Sequence, residues 1–144
     1  MLKPWACKSL YNFYSKEADI SVIEGVMGVF DGFSPVSEIG STAHLAKVIK
    51  LPVVLVVDAS SMARSIAALV MGFTRFDPDL KIAGIIFNKV GSRTHVDIIK
   101  KSHKTLCGYT CFGFFQKQKG IELSSRHLGL ITAEEGIWNR EKNI

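Results

Sequence analysis

Residues 18–32 read ADISVIEGVMGVFDG, and the chain's architecture turns on how this stretch is understood. Ile20, Val22 and Ile23 have the β-branched character of a strand hidden inside a parallel sheet, where a carboxylate is a costly guest without a partner. Glu24 follows them directly, and Gly25 and Gly28 follow Glu24. The pattern is that of a strand delivering a carboxylate to the rim of a sheet, with a glycine-containing loop beyond it.

Working outward, three more apolar runs have strand character: Val53–Val57, Ile82–Phe87 and Cys111–Phe115, each bounded by Gly, Pro, Asp or Asn. Helical patterns lie between them. Ser61 to Phe73 sets Met62, Ile66, Leu69, Val70 and Phe73 on one stripe, and Thr94 to Leu106 offers Val96, Ile99 and Leu106. Ser41 to Lys50 carries Leu45, Val48 and Ile49, with Ser41 or Thr42 available as an N-cap. Alternating strand and helix predicts an α/β fold, a mainly parallel sheet with flanking helices on both faces.

Ligands of such sheets sit beyond the carboxyl ends of the strands. The expected strands end at Glu24, Asp58 and Asn88, so three polar side chains are expected at one rim. Helix capping accounts well for Asp58 and less well for Glu24 with Gly25 and Gly28. A carboxylate in that position suits Mg²⁺ that is also held by nucleotide phosphates. The glycines would let the backbone approach phosphates or a substrate carboxylate with no Cβ in the way. Asp31, followed by Gly32, adds a second carboxylate, and its spacing fits a metal ligand, a substrate contact or a turn residue.

Composition sets the bounds. With 144 residues, 47% hydrophobic and 22% charged, the chain suits one domain with a real core. The net charge of +5 and pI near 9.2 come from scattered lysines and arginines, and no base-reading module accompanies them, so nucleic acid is not an expected partner. No run of about 18 apolar residues occurs and Met1–Leu10 lacks a signal-peptide core, so neither membrane insertion nor secretion is expected and the location is expected to be cytoplasmic. Cys7, Cys107 and Cys111 are too few for a disulfide framework or a thiolate metal site. A phosphate-cradling G-x-x-x-x-G-K-[ST] segment occurs nowhere in these residues; the nearest glycine spacing, Gly113 to Gly120, lacks the Lys-Ser/Thr that must follow.

The successive blocks DISVIEGVMGVFDG, GSTAHLAKVIKLPVVLVVDASSMARSIAALVMGF, IAGIIFNKVGSRTH and ELSSRHLGL resemble those of the cobyrinic acid a,c-diamide synthase family. The resemblance implies a glutamine- and ATP-dependent amidoligase of cobalamin biosynthesis. In that family ATP and Mg²⁺ activate the a and c carboxylates of cobyrinic acid as acyl phosphates, which glutamine-derived ammonia converts to amides. It implies a dethiobiotin-synthetase-like P-loop fold, here incomplete and without the P-loop: residues 1–137 as a partial synthetase domain, 138–144 as a polar tail, and no glutaminase domain. Lys3 in MLKPWA stands where the family usually has aspartate, and prolines usual near Gln116 and Ser124 are missing.

Carried across, the resemblance makes Glu24 the Mg²⁺ ligand, Asp31 a second acidic residue of the synthetase site and Asn88 the reader of the adenine edge. Ser41 and Thr42 at a helix N-terminus, and Arg126 and His127 in the last block, become candidate substrate contacts. A noncatalytic, truncated homologue that keeps the fold or corrin binding is the competing expectation. An uncovered sheet edge would favour a homo-oligomer.

Overall fold

Three strands, Val53–Asp58 (β1), Ile82–Val90 (β2) and Cys111–Gln116 (β3), form a parallel sheet in the order β1-β2-β3. The computed structural model describes residues 2–117. Arg126, His127, the SRHLGL block and the tail 138–144 lie outside the described residues. Four helices accompany the strands: α1 (Pro4–Ser15), α2 (Thr42–Ile49), α3 (Ser65–Phe76) and α4 (Arg93–Leu106).

The parallel α/β arrangement agrees with the alternation in the sequence, and each helix boundary has a local cause. α1 begins with Pro4 in its first turn, where a missing N–H costs nothing. The Ser41 hydroxyl accepts from the His44 amide to cap α2, and Ser92 caps α4 in the same way by accepting from His95 N–H. α3 starts four residues later than its periodicity suggests. The Asp58 carboxylate accepts from the Ser60 amide and hydroxyl, and Ser61 takes a left-handed φ of 57°, so the chain turns before it coils.

The core lies on one face of the sheet. Leu55, Val57, Ile85, Phe87 and Val90 pack against Ile66 and Val70 of α3 and Ile99 of α4. Both crossover helices occupy this face because the strands keep sequence order, and successive crossovers of one hand then fall on the same side. A smaller cluster joins Val29 to Ala43 and Ala46 of α2 and to Leu80. The thiols of Cys107 and Cys111 sit partly buried at the core's margin, pushed up by that burial.

Two expectations fail. The sheet is not covered on both faces among the described residues: Val54, Val56 and Phe112 stay 45–59% exposed on the face opposite the core. Nor does Ile20–Ile23 form a strand. Among the described residues β1 is an edge with no ladder partner on its outer side, and Ile20 and Val22 are 81% and 89% exposed. An apolar β-branched run specifies a strand only when a neighbour accepts and donates its backbone bonds. α1, which no apolar periodicity in the sequence announces, packs near α2 but buries none of its residues.

Candidate functional site

At the carboxyl rim of the sheet, Asp58 and Asn88 are register partners. Beyond them β2 carries one extra residue: Phe87 and Val90 face Phe114 and Gln116, three steps against two, and Lys89 takes a left-handed φ of 56°. A bulge of this kind turns side chains out of the pleat. It sends the Lys89 ammonium across to Asp58, Nζ to Oδ2 at 2.7 Å, and leaves Asn88 half-buried with its Oδ1 accepting from the Lys89 amide at 2.9 Å. The Asn88 carbonyl accepts from Ala59 N–H at 2.8 Å, tying the β1–α3 and β2–α4 loops together.

The Lys89 ammonium, followed by the Ser60 hydroxyl and amide, holds the Asp58 carboxyl at about 2, below its ordinary 3.8. A carboxyl depressed in the folded state stabilises it while ionised, so the contribution is present above the unfolded value and is lost as pH falls through about 2. Both side chains are half-exposed, at 53% and 50%, which limits the effect to about 1 kcal/mol or less. Asp58→Asn is therefore expected to lower the urea midpoint slightly at pH 6, and the gap from wild type should close between about pH 4 and pH 2. A gap that persists unchanged at pH 2 would show that the carboxylate charge is not its source.

The second cluster surrounds the amino end of α2. Gly25 lies over Thr42: a Cβ at position 25 would stand 2.6 Å from Thr42 Oγ1 and 2.7 Å from its methyl group. Only a glycine lets the loop pass this close. Three residues on, a tight turn closes with Asp31 N–H donating to the Gly28 carbonyl at 3.1 Å, and the Asp31 carboxylate fills the space a side chain on Gly28 would need. The Val29 carbonyl accepts from Ala43 N–H at 2.8 Å, so the loop itself satisfies one of the helix's free donors. Ser41 is buried, its hydroxyl committed to the cap, whereas Thr42 is half-buried at the margin.

Asp31 also lines a cavity of about 630 Å³ between the loop 30–38 and Phe76–Pro78, walled by Phe30, Phe33 and Phe76. Glu38 and Asp77 line it too, and Lys47 bridges them, with its Nζ 2.7 Å from Asp77. Hydrogen bonds to Asp77 and Glu38 raise the Lys47 ammonium, and Lys47 in turn lowers Asp77. This end of the cavity thus carries its own counter-charge.

The structure therefore sorts the expected residues into two groups. Asp58 and Asn88 meet at the sheet rim; Glu24, Gly25, Gly28, Asp31, Ser41 and Thr42 gather around α2. Glu24 is exposed and makes no hydrogen bond or ion pair among the described residues. No group of three or more His, Cys, Asp or Glu side chains is placed to hold a metal among them. Mg²⁺ held largely by phosphates and water asks only for one or two carboxylates, and an exposed, uncommitted Glu24 fits that role. Sequence reasoning missed Lys89, Ser60 and His95 at the rim. The spacing Asp58-x-Ser60 signals the Asx turn, but nothing in the sequence marks the bulge that aims Lys89.

A parallel α/β sheet with this rim is the frame of a nucleotide-binding P-loop NTPase-like domain, and a family model described as an AAA domain matches residues 6–119. The chain belongs to that family. Within it, the chain is similar to cobyrinate a,c-diamide synthases. It is 47% identical over 128 residues to that of Caldanaerobacter subterraneus subsp. tengcongensis, covering 89% of this chain and 28% of the relative. It is 45% identical over 119 residues to that of Methanosarcina acetivorans, covering 83% and 24%. It is 42% identical over 141 residues to that of Salmonella typhimurium, covering 98% and 31%. The chain thus spans between about a quarter and a third of the length of these relatives. No solved structure matches the chain significantly. Among the described residues no helix is long and apolar enough to cross a membrane.

Proposed function

We propose that this chain forms part of the synthetase domain of a glutamine- and ATP-dependent amidoligase. The enzyme would act in the cytoplasm on the a and c carboxylates of cobyrinic acid during cobalamin biosynthesis. The observation that carries the reading is the 42–47% identity to cobyrinate a,c-diamide synthases over most of the chain. Glu24 would ligate nucleotide-bound Mg²⁺. The space over Gly25 and Gly28 is taken by Thr42 and Asp31 rather than left open for phosphates, so the two glycines would act by letting those side chains pack against the loop, and Asp31 and Thr42 would be the groups that meet substrate. Ser41 would act there through its cap on α2, and Arg126 and His127 would join as substrate contacts. Asn88, whose amide N–H₂ has no partner among the described residues, would donate to the adenine edge. Bound ATP supplies the activated phosphoryl group; glutamine-derived ammonia and a homo-oligomeric state complete the proposal.

The test is amide formation from cobyrinic acid with ATP, Mg²⁺ and ammonium. Phosphoryl transfer depends on positioning and neutralising the phosphates, and these 144 residues hold no G-x-x-x-x-G-K-[ST] loop. The chain alone is therefore expected to be inactive, and addition of a polypeptide bearing that loop is expected to restore turnover. Turnover by the chain alone would remove the loop requirement. No turnover in the completed mixture would favour a noncatalytic homologue.

A further inference from the structure

One imidazole spans the two rim loops. His95, in the first turn of α4, accepts from Gly91 N–H through Nδ1 at 3.1 Å, and its Nε2 lies 2.5 Å from the Met62 carbonyl. A ring nitrogen that accepts from an amide carries no proton, so the other must donate to the carbonyl. The geometry thus selects the neutral Nε2–H tautomer. Met62 lies in the segment between β1 and α3 and Gly91 between β2 and α4, so a single side chain fastens the loop that follows Asp58 to the loop that follows Asn88 and Lys89. Two further bonds join the same loops, Lys89 to Asp58 and Ala59 N–H to the Asn88 carbonyl. Both originate at the strand ends. His95 is the fastening farther out, beyond the bulge.

We propose that His95 is a positioning residue for this rim: as the Nε2–H tautomer it fixes the 88–92 loop against the 58–64 loop, and so sets where Asn88 is presented to an adenine nucleotide. The proposal rests on the reading of Asn88 given above, but the fastening itself is testable without any ligand. A purely space-filling imidazole would show no tautomer preference, whereas this role demands one.

Long-range ¹H–¹⁵N spectra of the nucleotide-free protein at pH 8 are expected to show His95 with Nδ1 unprotonated and Nε2 protonated. A ring protonated on Nδ1 would overturn the proposal. His95→Phe keeps the ring and removes both bonds; it is expected to speed amide exchange at Gly91 and Ala59 at least tenfold and to move the Asn88 side-chain amide resonances. His95→Asn returns an acceptor at the Nδ1 position and should restore protection at Gly91. Unchanged exchange in His95→Phe would overturn the proposal. Should that variant fail to fold, the wild-type tautomer still decides. ATP–Mg²⁺ is then added to wild type. Failure of the Asn88 amide resonances to respond would count against Asn88 as base reader while leaving the ligand-free results to decide on His95.

Discussion

Phe87→Ala is expected to bring this fold to the edge of unfolding in water. Phe87 is fully buried at the centre of β2. Its ring stacks on Phe114 at 5.5 Å and meets the edge of His103 at 5.3 Å, so the residue joins β2, β3 and α4. Truncating a buried phenylalanine to alanine costs about 3–5 kcal/mol, against a total of roughly 5–15 kcal/mol for a domain. Among the described residues this sheet draws its core from one face only, which puts its margin near the lower end. Urea titrations followed by circular dichroism should show the midpoint collapsing for Phe87→Ala, with Phe87→Leu, which keeps most of the volume, shifted far less. An unchanged midpoint for Phe87→Ala would mean that the stability resides elsewhere than in the β2–α4 contact.

Glu24→Gln is the functional counterpart, large in activity and small in stability. The side chain is exposed and has no partner among the described residues, so the change to an isosteric amide should alter folding by no more than about 0.5 kcal/mol. It removes one negative charge from the proposed metal shell. Loss of even an outer-shell partner costs about 10–100-fold in metal affinity or activity, and a direct ligand should cost at least that. Measured in a polypeptide that unites this chain with a phosphate loop, the variant should need far more Mg²⁺ for turnover while its unfolding midpoint stays put. Wild-type turnover at ordinary Mg²⁺ would take Glu24 out of the metal shell.

How legible all this was in the sequence depended on whether the deciding force was local. β1, β2 and β3 stood out because β-branched and aromatic runs between turn residues describe strands that find partners here. Of Ser41 and Thr42, the two cap candidates for α2, Ser41 takes the position; the Ser92 cap of α4 lies just ahead of the helical pattern that starts at Thr94. Ile20–Ile23 has a strand's composition but no ladder partner among the described residues, and no window of sequence contains that fact. α1 has no buried apolar stripe to mark it: Trp5, Phe13 and Tyr14 are 68–75% exposed. At the candidate site, the glycines of EGVMG suggest close approach by phosphates or a substrate carboxylate, whereas in the structure Thr42 and Asp31 occupy that space. The Lys89 bulge and the His95 bridge stayed hidden, because each depends on how two loops distant in sequence come to lie side by side.

The sequential, parallel order of the described strands has a consequence for synthesis on the ribosome. Among the described residues no hairpin gives β1 an early neighbour: its register partners begin at Ile82, across the whole of α3. At translation rates of about 5–20 residues per second, the Val53–Val57 run waits roughly 1–6 s after it is made before its partner follows. During that interval VVLVV is the kind of uncharged, β-prone segment that other chains capture. Pro52 and Asp58 stand at its two ends, where a missing N–H and a charge act as gatekeepers against such capture.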